Sequence, residues 1–145
     1  MIIEPKNKGI DQRLFEAMIK TNEECPYHNM LDMYITELNE GEAVLVMPIS
    51  EKHLNPMAIV HGGATTSLMD TALGMAAKSL NNKVVTLEMN INFIKPVQFN
   101  ETLTAKGKVV KAGRSIVVAE AEAYNDKGDK VAIGRGTFYV IDTFI

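Results

Sequence analysis

The stretch His61–Leu80 constrains the fold more than any other part of this chain, because only Asp70 and Lys78 in it are charged. It is too long for one strand and contains no proline, so it predicts a single long helix that ends near Asn81-Asn82. A helix with so few charges is buried on nearly every side. The rest of the chain must therefore surround it.

The segments on either side of this helix predict strands that supply the cover. Apolar and polar residues alternate with a period of two in these segments, and short turns between consecutive strands favour antiparallel pairing. A short helix is predicted over residues 11–20, with Asp11 as its cap. The predicted strands are Met30–Leu38 and Glu42–Ile49 before the long helix, and Val85–Phe93, Thr102–Val109, Ser115–Tyr124 and Lys130–Val140 after it.

This order predicts an α+β fold in which an antiparallel sheet curls around one long central helix. The small residues Ala119, Ala121 and Ala123, together with Gly134 and Gly136, would let the sheet and the helix approach closely. One short N-terminal helix is too little to cover the apolar surface that remains. We therefore expect a homodimer as the minimal unit.

Size and charge narrow the functional classes. The 145 residues contain no linker or repeat, which predicts one domain over 1–145 with an N-terminal helical segment, residues 1–25, packed on it. A net charge of -3 argues against nucleic acid as a partner. Uninterrupted apolar stretches fall short of the roughly 20 residues needed to cross a bilayer. With a single cysteine and no apolar leader in Met1–Gly9, we expect a cytoplasmic protein.

The start of the long helix and one carboxylate inside it are the candidates for chemistry. A helix N-terminus presents unpaired N–H groups that suit a developing oxyanion, and Gly62 and Gly63 leave those groups open to a ligand carbonyl. His61 and Asn55 are placed to orient the same site. A carboxylate such as Asp70 within an apolar helix is costly unless it is paired or functional.

Helical geometry separates these two candidates. His61 and Asp70 are nine residues apart, which places them on opposite sides of the helix and about 13.5 Å apart along its axis. If both act in catalysis, the site combines Gly62 of one chain with Asp70 of another. Taken singly, each feature also has a structural reading: Gly62-Gly63 as a turn, His61 as a cap, and Asp70 as a buried carboxylate bonded to backbone donors.

Two segments resemble a known family. The run Asn55–Asp70, with its His61-Gly62-Gly63 core, and the run Val85–Pro96 are similar to the phenylacetate-degradation-type branch of the hotdog-fold acyl-coenzyme A thioesterases. The resemblance covers residues 28–141 and implies the hotdog fold. It implies hydrolysis of an acyl-coenzyme A thioester to the free acid and coenzyme A.

The resemblance also implies roles for individual residues. The amide of Gly62 polarises the thioester carbonyl, and Asp70 of the partner subunit acts as nucleophile or as general base. Further catalytic positions are His61, Asn55 and Thr86, and positions that contact substrate or coenzyme A are Gly63, Lys95, Lys111 and Arg114. Members are commonly homotetramers built from two dimers. The chain lacks the common metal and nucleotide-binding motifs, so neither a metal nor a cofactor is expected.

Two other functions fit the same architecture. A non-catalytic acyl-coenzyme A binder or sensor would bind without releasing thiol, and an intact Asp70 argues against it. An enoyl-thioester hydratase would pair an acid with a histidine at a different spacing. The identity of the acyl group does not follow from the sequence.

Overall fold

The computed structural model describes residues 3–145, so the first two residues of the predicted N-terminal segment lie outside its description. The central helix, α3, runs from Gly62 to Lys78. Before it come β1 (Lys6–Asn7), α1 (Gln12–Glu24), α2 (Pro26–Leu31), β2 (Tyr34–Asn39), β3 (Glu42–Pro48) and a 3₁₀ turn (Glu51–His53), and after it come β4 (Asn82–Phe93), β5 (Thr102–Ala112), β6 (Ile116–Tyr124) and β7 (Lys130–Thr143).

The described strands form one sheet in the order β1-β2-β3-β5-β6-β7-β4. Only the β1–β2 pair is parallel among these neighbours, and the strands from β2 to β7 all pack against α3. The predicted α+β hotdog fold, a sheet curled around one long helix, is confirmed. Within residues 3–145 no helix is both long and apolar enough to span a membrane.

The closest approach between sheet and helix occurs at Gly107 on β5. A Cβ atom there would lie 2.4 Å from the carbonyl oxygen of Ala72 on α3, closer than any side-chain atom can stand. The alanines predicted to allow this approach, Ala119, Ala121 and Ala123, are buried as expected. The close contact at Gly107 was not predicted, because the alternating pattern of β5 shows only that this residue faces the core.

Replacing Gly107 by Ala is therefore expected to lower the free energy of unfolding by about 2–4 kcal/mol, since backbone must move to admit the methyl group. Urea denaturation measures this change. The neighbouring exposed Lys108, replaced by Ala, serves as the control and is expected to change stability by less than about 0.5 kcal/mol. A similar small effect at Gly107 would contradict the close packing.

The structure corrects several predicted strand boundaries, and the largest difference is at the start of β2. The segment Met30–Leu38 was predicted as one strand, but Met30 and Leu31 end α2, and β2 begins at Tyr34. Pro26 opens this short helix, and Asp32 ends it in a left-handed conformation with φ of 57°. A helix of six residues is too short to display a helical period, so the apolar residues read as part of the strand.

Candidate active site

The backbone amide of Gly62 is free at the start of α3. His61 is the N-cap, and its Nδ1 accepts a hydrogen bond of 2.8 Å from the N–H of Gly63. The N–H of Gly62 donates to no group within residues 3–145. Of the two adjacent glycine amides, the ring of His61 therefore satisfies one and leaves the other open to a ligand.

The same hydrogen bond sets the tautomer of His61. Because Nδ1 accepts from a backbone N–H, the neutral ring carries its proton on Nε2. That Nε2–H has no acceptor within the described chain, and the residue is exposed. His61 thus offers one further donor beside the Gly62 amide.

A pocket of about 260 Å³ opens beside Gly62. A Cβ atom at Gly62 would lie 3.3 Å from Cζ of Phe93, so the absence of a side chain keeps the amide accessible. The volume lies below the roughly 300–1,000 Å³ of a complete small-molecule site. The lining residues include Ile59, Thr65, Phe93, Lys95, Val97 and Val131.

Asp70 and Thr86 meet at a second place. The Oγ1 of Thr86 on β4 donates a hydrogen bond of 3.0 Å to Oδ1 of Asp70, and Oδ2 accepts no hydrogen bond from residues 3–145. Asp70 lies eight residues along α3 from Gly62, or about 12 Å along the axis. Thr86 lies seven residues along β4 from Phe93, or about 23 Å. One chain therefore keeps the Gly62 amide and the Asp70–Thr86 pair apart.

Asn55 shapes the loop before α3. Its Oδ1 accepts hydrogen bonds from the N–H groups of Met57 at 2.9 Å and Ile59 at 3.3 Å. The loop continues into Val60, whose N–H bonds the carbonyl of Val97 at 2.9 Å. In a single chain Asn55 thus supports the wall of the pocket at Gly62, and its direct contact with a substrate stays a prediction.

His53 is a structural residue that was missed from the sequence. Its side chain is 1% exposed, its Nδ1 accepts from the N–H of Ser50 at 3.0 Å, and its Nε2 donates to the carbonyl of Leu31 at 2.7 Å. Its own carbonyl accepts from the N–H of His61 at 2.8 Å. His53 therefore ties the end of α2 to the cap of α3. A lone histidine in a loop shows no sequence pattern that would reveal this.

We expect the substitution His53→Ala to lower the free energy of unfolding by about 2–4 kcal/mol, because it leaves a cavity at a buried side chain and two partly buried backbone groups without partners. Chemical denaturation monitored by circular dichroism measures the change. Lys52→Ala is the matched control, since Lys52 makes an exposed ion pair with Asp32 worth at most about 1 kcal/mol. Equal effects of the two substitutions would contradict a structural role of the His53 side chain in linking α2 to the loop before α3.

The three predicted cations lie at opposite ends of the sheet. Lys95 follows β4, and its Nζ pairs with Oδ2 of Asp129 at 2.7 Å. Lys111 and Arg114 flank the connection from β5 to β6, roughly 27 Å away along β6. One chain does not bring them together. Among residues 3–145 no cluster of three or more His, Cys, Asp or Glu side chains is arranged to hold a metal ion.

The short helix α2 contacts α3 at Ser67, one helical turn from Asp70. The Tyr27 hydroxyl lies 2.6 Å from Oγ of Ser67. Burial lowers the pKa of Lys78 and also that of His28, whose pKa the charge of Lys78 lowers further, while the negative charge of Asp70 opposes both shifts. The site predicted from sequence did not include α2, because its last two residues were assigned to a strand and its first four to no element.

Comparison with known proteins places this geometry in context. A model of the thioesterase superfamily matches residues 57–132. The acyl-coenzyme A thioesterase PaaI of Escherichia coli is 34% identical over 73% of this chain and 76% of its own length. The solved structure of Escherichia coli PaaI, from the phenylacetic acid degradation operon, superposes with a TM-score of 0.87 at 28% identity, over 93% of this chain and 98% of that one. A hypothetical thioesterase from Streptococcus pneumoniae, solved with coenzyme A, gives a TM-score of 0.74 at 29% identity, over 77% and 90% of the two chains.

Proposed function

The chain belongs to the thioesterase superfamily, and we propose that it hydrolyses acyl-coenzyme A thioesters at sites assembled from two subunits. The proposal rests on the separation of two groups along β4. The open Gly62 amide lies at one end of this strand, beside Phe93, and the Asp70–Thr86 pair lies toward the other end. In the proposal these are two half-sites of one catalytic site.

The first half-site stabilises negative charge on the thioester oxygen. As the acyl carbon is attacked, its carbonyl oxygen gains charge, and the Gly62 N–H at the positive end of α3 stabilises it. The Nε2–H of His61 supplies a second donor at the same helix end. Because the donors are fixed by α3, they need no rearrangement as the charge develops.

The second half-site supplies the attack. Thr86 holds Oδ1 of Asp70, so the other carboxylate oxygen either attacks the acyl carbon or removes a proton from an attacking water. The C–S bond then breaks, and coenzyme A leaves as the thiol after taking up a proton. In the nucleophilic route, water finally hydrolyses the acyl–Asp70 anhydride. Label in Asp70 after a single turnover in ¹⁸O-labelled water would establish the nucleophilic route, because label enters this carboxylate only when water attacks the Asp70 carbonyl of the anhydride.

The free edge of β4 supports a dimer that joins these half-sites. Within the described chain β4 pairs only with β7, and Val85, Leu87 and Phe93 on it are exposed apolar residues. A long edge strand of this kind pairs readily with a second copy. The bulge between Thr86 and Glu88 adds one residue to β4, so Thr86 and Phe93 lie at equal distances on either side of Asn90. A twofold antiparallel pairing centred on Asn90 therefore sets Thr86 opposite Phe93 of the partner subunit.

That register brings both the catalytic and the cationic groups together. It places the Gly62 amide of one subunit beside Asp70 of the other. It also places Lys95 of one subunit at the end of the sheet that carries Lys111 and Arg114 of the other, which suits the phosphates of coenzyme A. On the face of the sheet away from α3, three neighbouring strands carry exposed apolar residues opposite one another: Val85, Tyr139 and Ile116. This apolar surface supports the further assembly of dimers into the tetramer that the family resemblance implies.

Thiol release from a panel of short, long and aromatic acyl-coenzyme A compounds tests the proposed function. The purified protein is expected to release free coenzyme A from at least one of them. Tight binding across the panel without thiol release would instead support the acyl-coenzyme A binder. Formation of a hydroxyacyl product from a crotonyl thioester would support the hydratase.

A further inference from the structure

The phenol of Tyr27 on α2 is held in one orientation against α3. Ser67 donates its single hydroxyl proton to the carbonyl of Gly63 at 2.9 Å, so in the 2.6 Å contact between the two hydroxyls Tyr27 is the donor. The tie spans 40 positions of the sequence. It therefore fixes the aromatic ring of a short helix beside the central one.

This tie places the ring next to the proposed reaction centre. Ser67 and Asp70 are three residues apart on α3, so their side chains are neighbours on one helix face. Tyr27 is 51% exposed despite its hydrogen bond, and Met30, three residues along α2 on the same side, is 57% exposed. The two residues form an uncharged apolar strip on α2, and Tyr27 in it contacts α3 one helical turn from Asp70.

The chemistry of the substrate indicates which part of it meets this strip. The coenzyme A half of a thioester is anionic, and its phosphates are matched by Lys95, Lys111 and Arg114 rather than by an uncharged surface. The acyl half is apolar and begins at the carbon that Asp70 acts on. An acyl chain leaving that carbon toward α2 buries itself against Tyr27 and Met30.

We propose, building on the function proposed above, that Tyr27 determines acyl specificity, with its ring and Met30 forming one wall of the pocket for an extended apolar acyl group. The hydrogen bond to Ser67 holds the ring before substrate arrives, which reduces the entropy lost on binding. The wall begins beyond the carbonyl carbon. It therefore contributes to long acyl groups and leaves the shortest ones unaffected.

The test compares kcat/KM for the shortest and the longest acyl-coenzyme A that the wild type accepts. Tyr27→Ala is expected to lower kcat/KM for the longest about tenfold and to change that for the shortest by less than about twofold. Tyr27→Phe keeps the ring but loses the tie to Ser67, so about a threefold loss on the longest substrate is expected. Asn29→Ala is the control, because Asn29 bonds the carbonyl of Glu23 and so anchors α2 without contributing to the strip.

The outcomes separate the inference from the function on which it rests. Equal losses on both substrates, an unchanged profile in Tyr27→Ala, or the same shift in Asn29→Ala would each overturn the role of Tyr27 while hydrolysis stands. Loss of the dimer in Tyr27→Ala, measured by sedimentation, would assign the strip to a subunit interface and also overturn it. A wild-type protein that hydrolyses no acyl-coenzyme A overturns both proposals.

Discussion

Replacing Asp70 by Asn is expected to lower kcat by about 10²-fold or more and to leave folding and assembly unchanged. The amide has nearly the same shape, and its oxygen still accepts the hydrogen bond from Thr86, so the local structure is retained. It is neither a base nor an effective nucleophile, so attack on the acyl carbon is lost. Steady-state thiol release measures the change, and circular dichroism checks the fold.

The same chemical change elsewhere provides the control. Asp11 caps α1 by accepting from the N–H of Arg13 at 2.8 Å, and Asn is an equally good cap, so Asp11→Asn is expected to leave both stability and kcat unchanged. If Asp70→Asn retained kcat within about threefold of the wild type, Asp70 would be neither nucleophile nor general base.

Replacing Gly62 by Pro removes one hydrogen-bond donor and is expected to lower kcat by about 10²–10³-fold. Proline lacks the N–H that is proposed to bind the thioester oxygen. Its position is favourable for the fold, since Gly62 is the first residue of α3 and needs no intrahelical partner. The preceding His61, with φ of −62° and ψ of 135°, already has the conformation that proline requires of its neighbour.

Gly62→Ala separates the loss of the N–H from the addition of bulk. Alanine retains the donor and adds a Cβ atom 3.3 Å from Phe93, a contact that a small movement of the ring relieves. We expect Gly62→Ala to lose no more than about tenfold in kcat/KM. Equal kcat in Gly62→Pro and the wild type would show that this amide does not bind the oxyanion.

The larger features of the fold were predictable because they follow from periodicity and charge. The long helix was predicted from His61 to Leu80 and runs from Gly62 to Lys78. The four later strands were found because apolar and polar residues alternate in them and Gly113 and Gly128 mark the turns between them.

The elements that were missed depend on contacts that sequence does not display. The strand β1 has two residues and is held by pairing with β2, and α2 has six residues, too few for a helical period. The buried role of His53 arises from hydrogen bonds to Ser50, Leu31 and His61, of which only Leu31 is far away in the sequence. The close approach at Gly107 appears only when α3 is laid on the sheet.

For the candidate site, helical spacing alone predicted the separation of Gly62 from Asp70, and the structure keeps them apart in one chain. Sequence did not distinguish the amides of Gly62 and Gly63, because the choice depends on the ring of His61. Nor did it reveal that Lys95 is paired with Asp129, or that α2 contacts α3 one helical turn from Asp70.

Subunit complementation tests the shared site most directly. Gly62→Pro and Asp70→Asn chains, each inactive alone, are unfolded together, refolded as a mixture and assayed for thiol release. Random pairing makes half the dimers mixed, and each mixed dimer contains one intact site, so about a quarter of wild-type activity is expected to return. If native mass spectrometry shows mixed dimers but activity does not return, Gly62 and Asp70 do not act together across the interface.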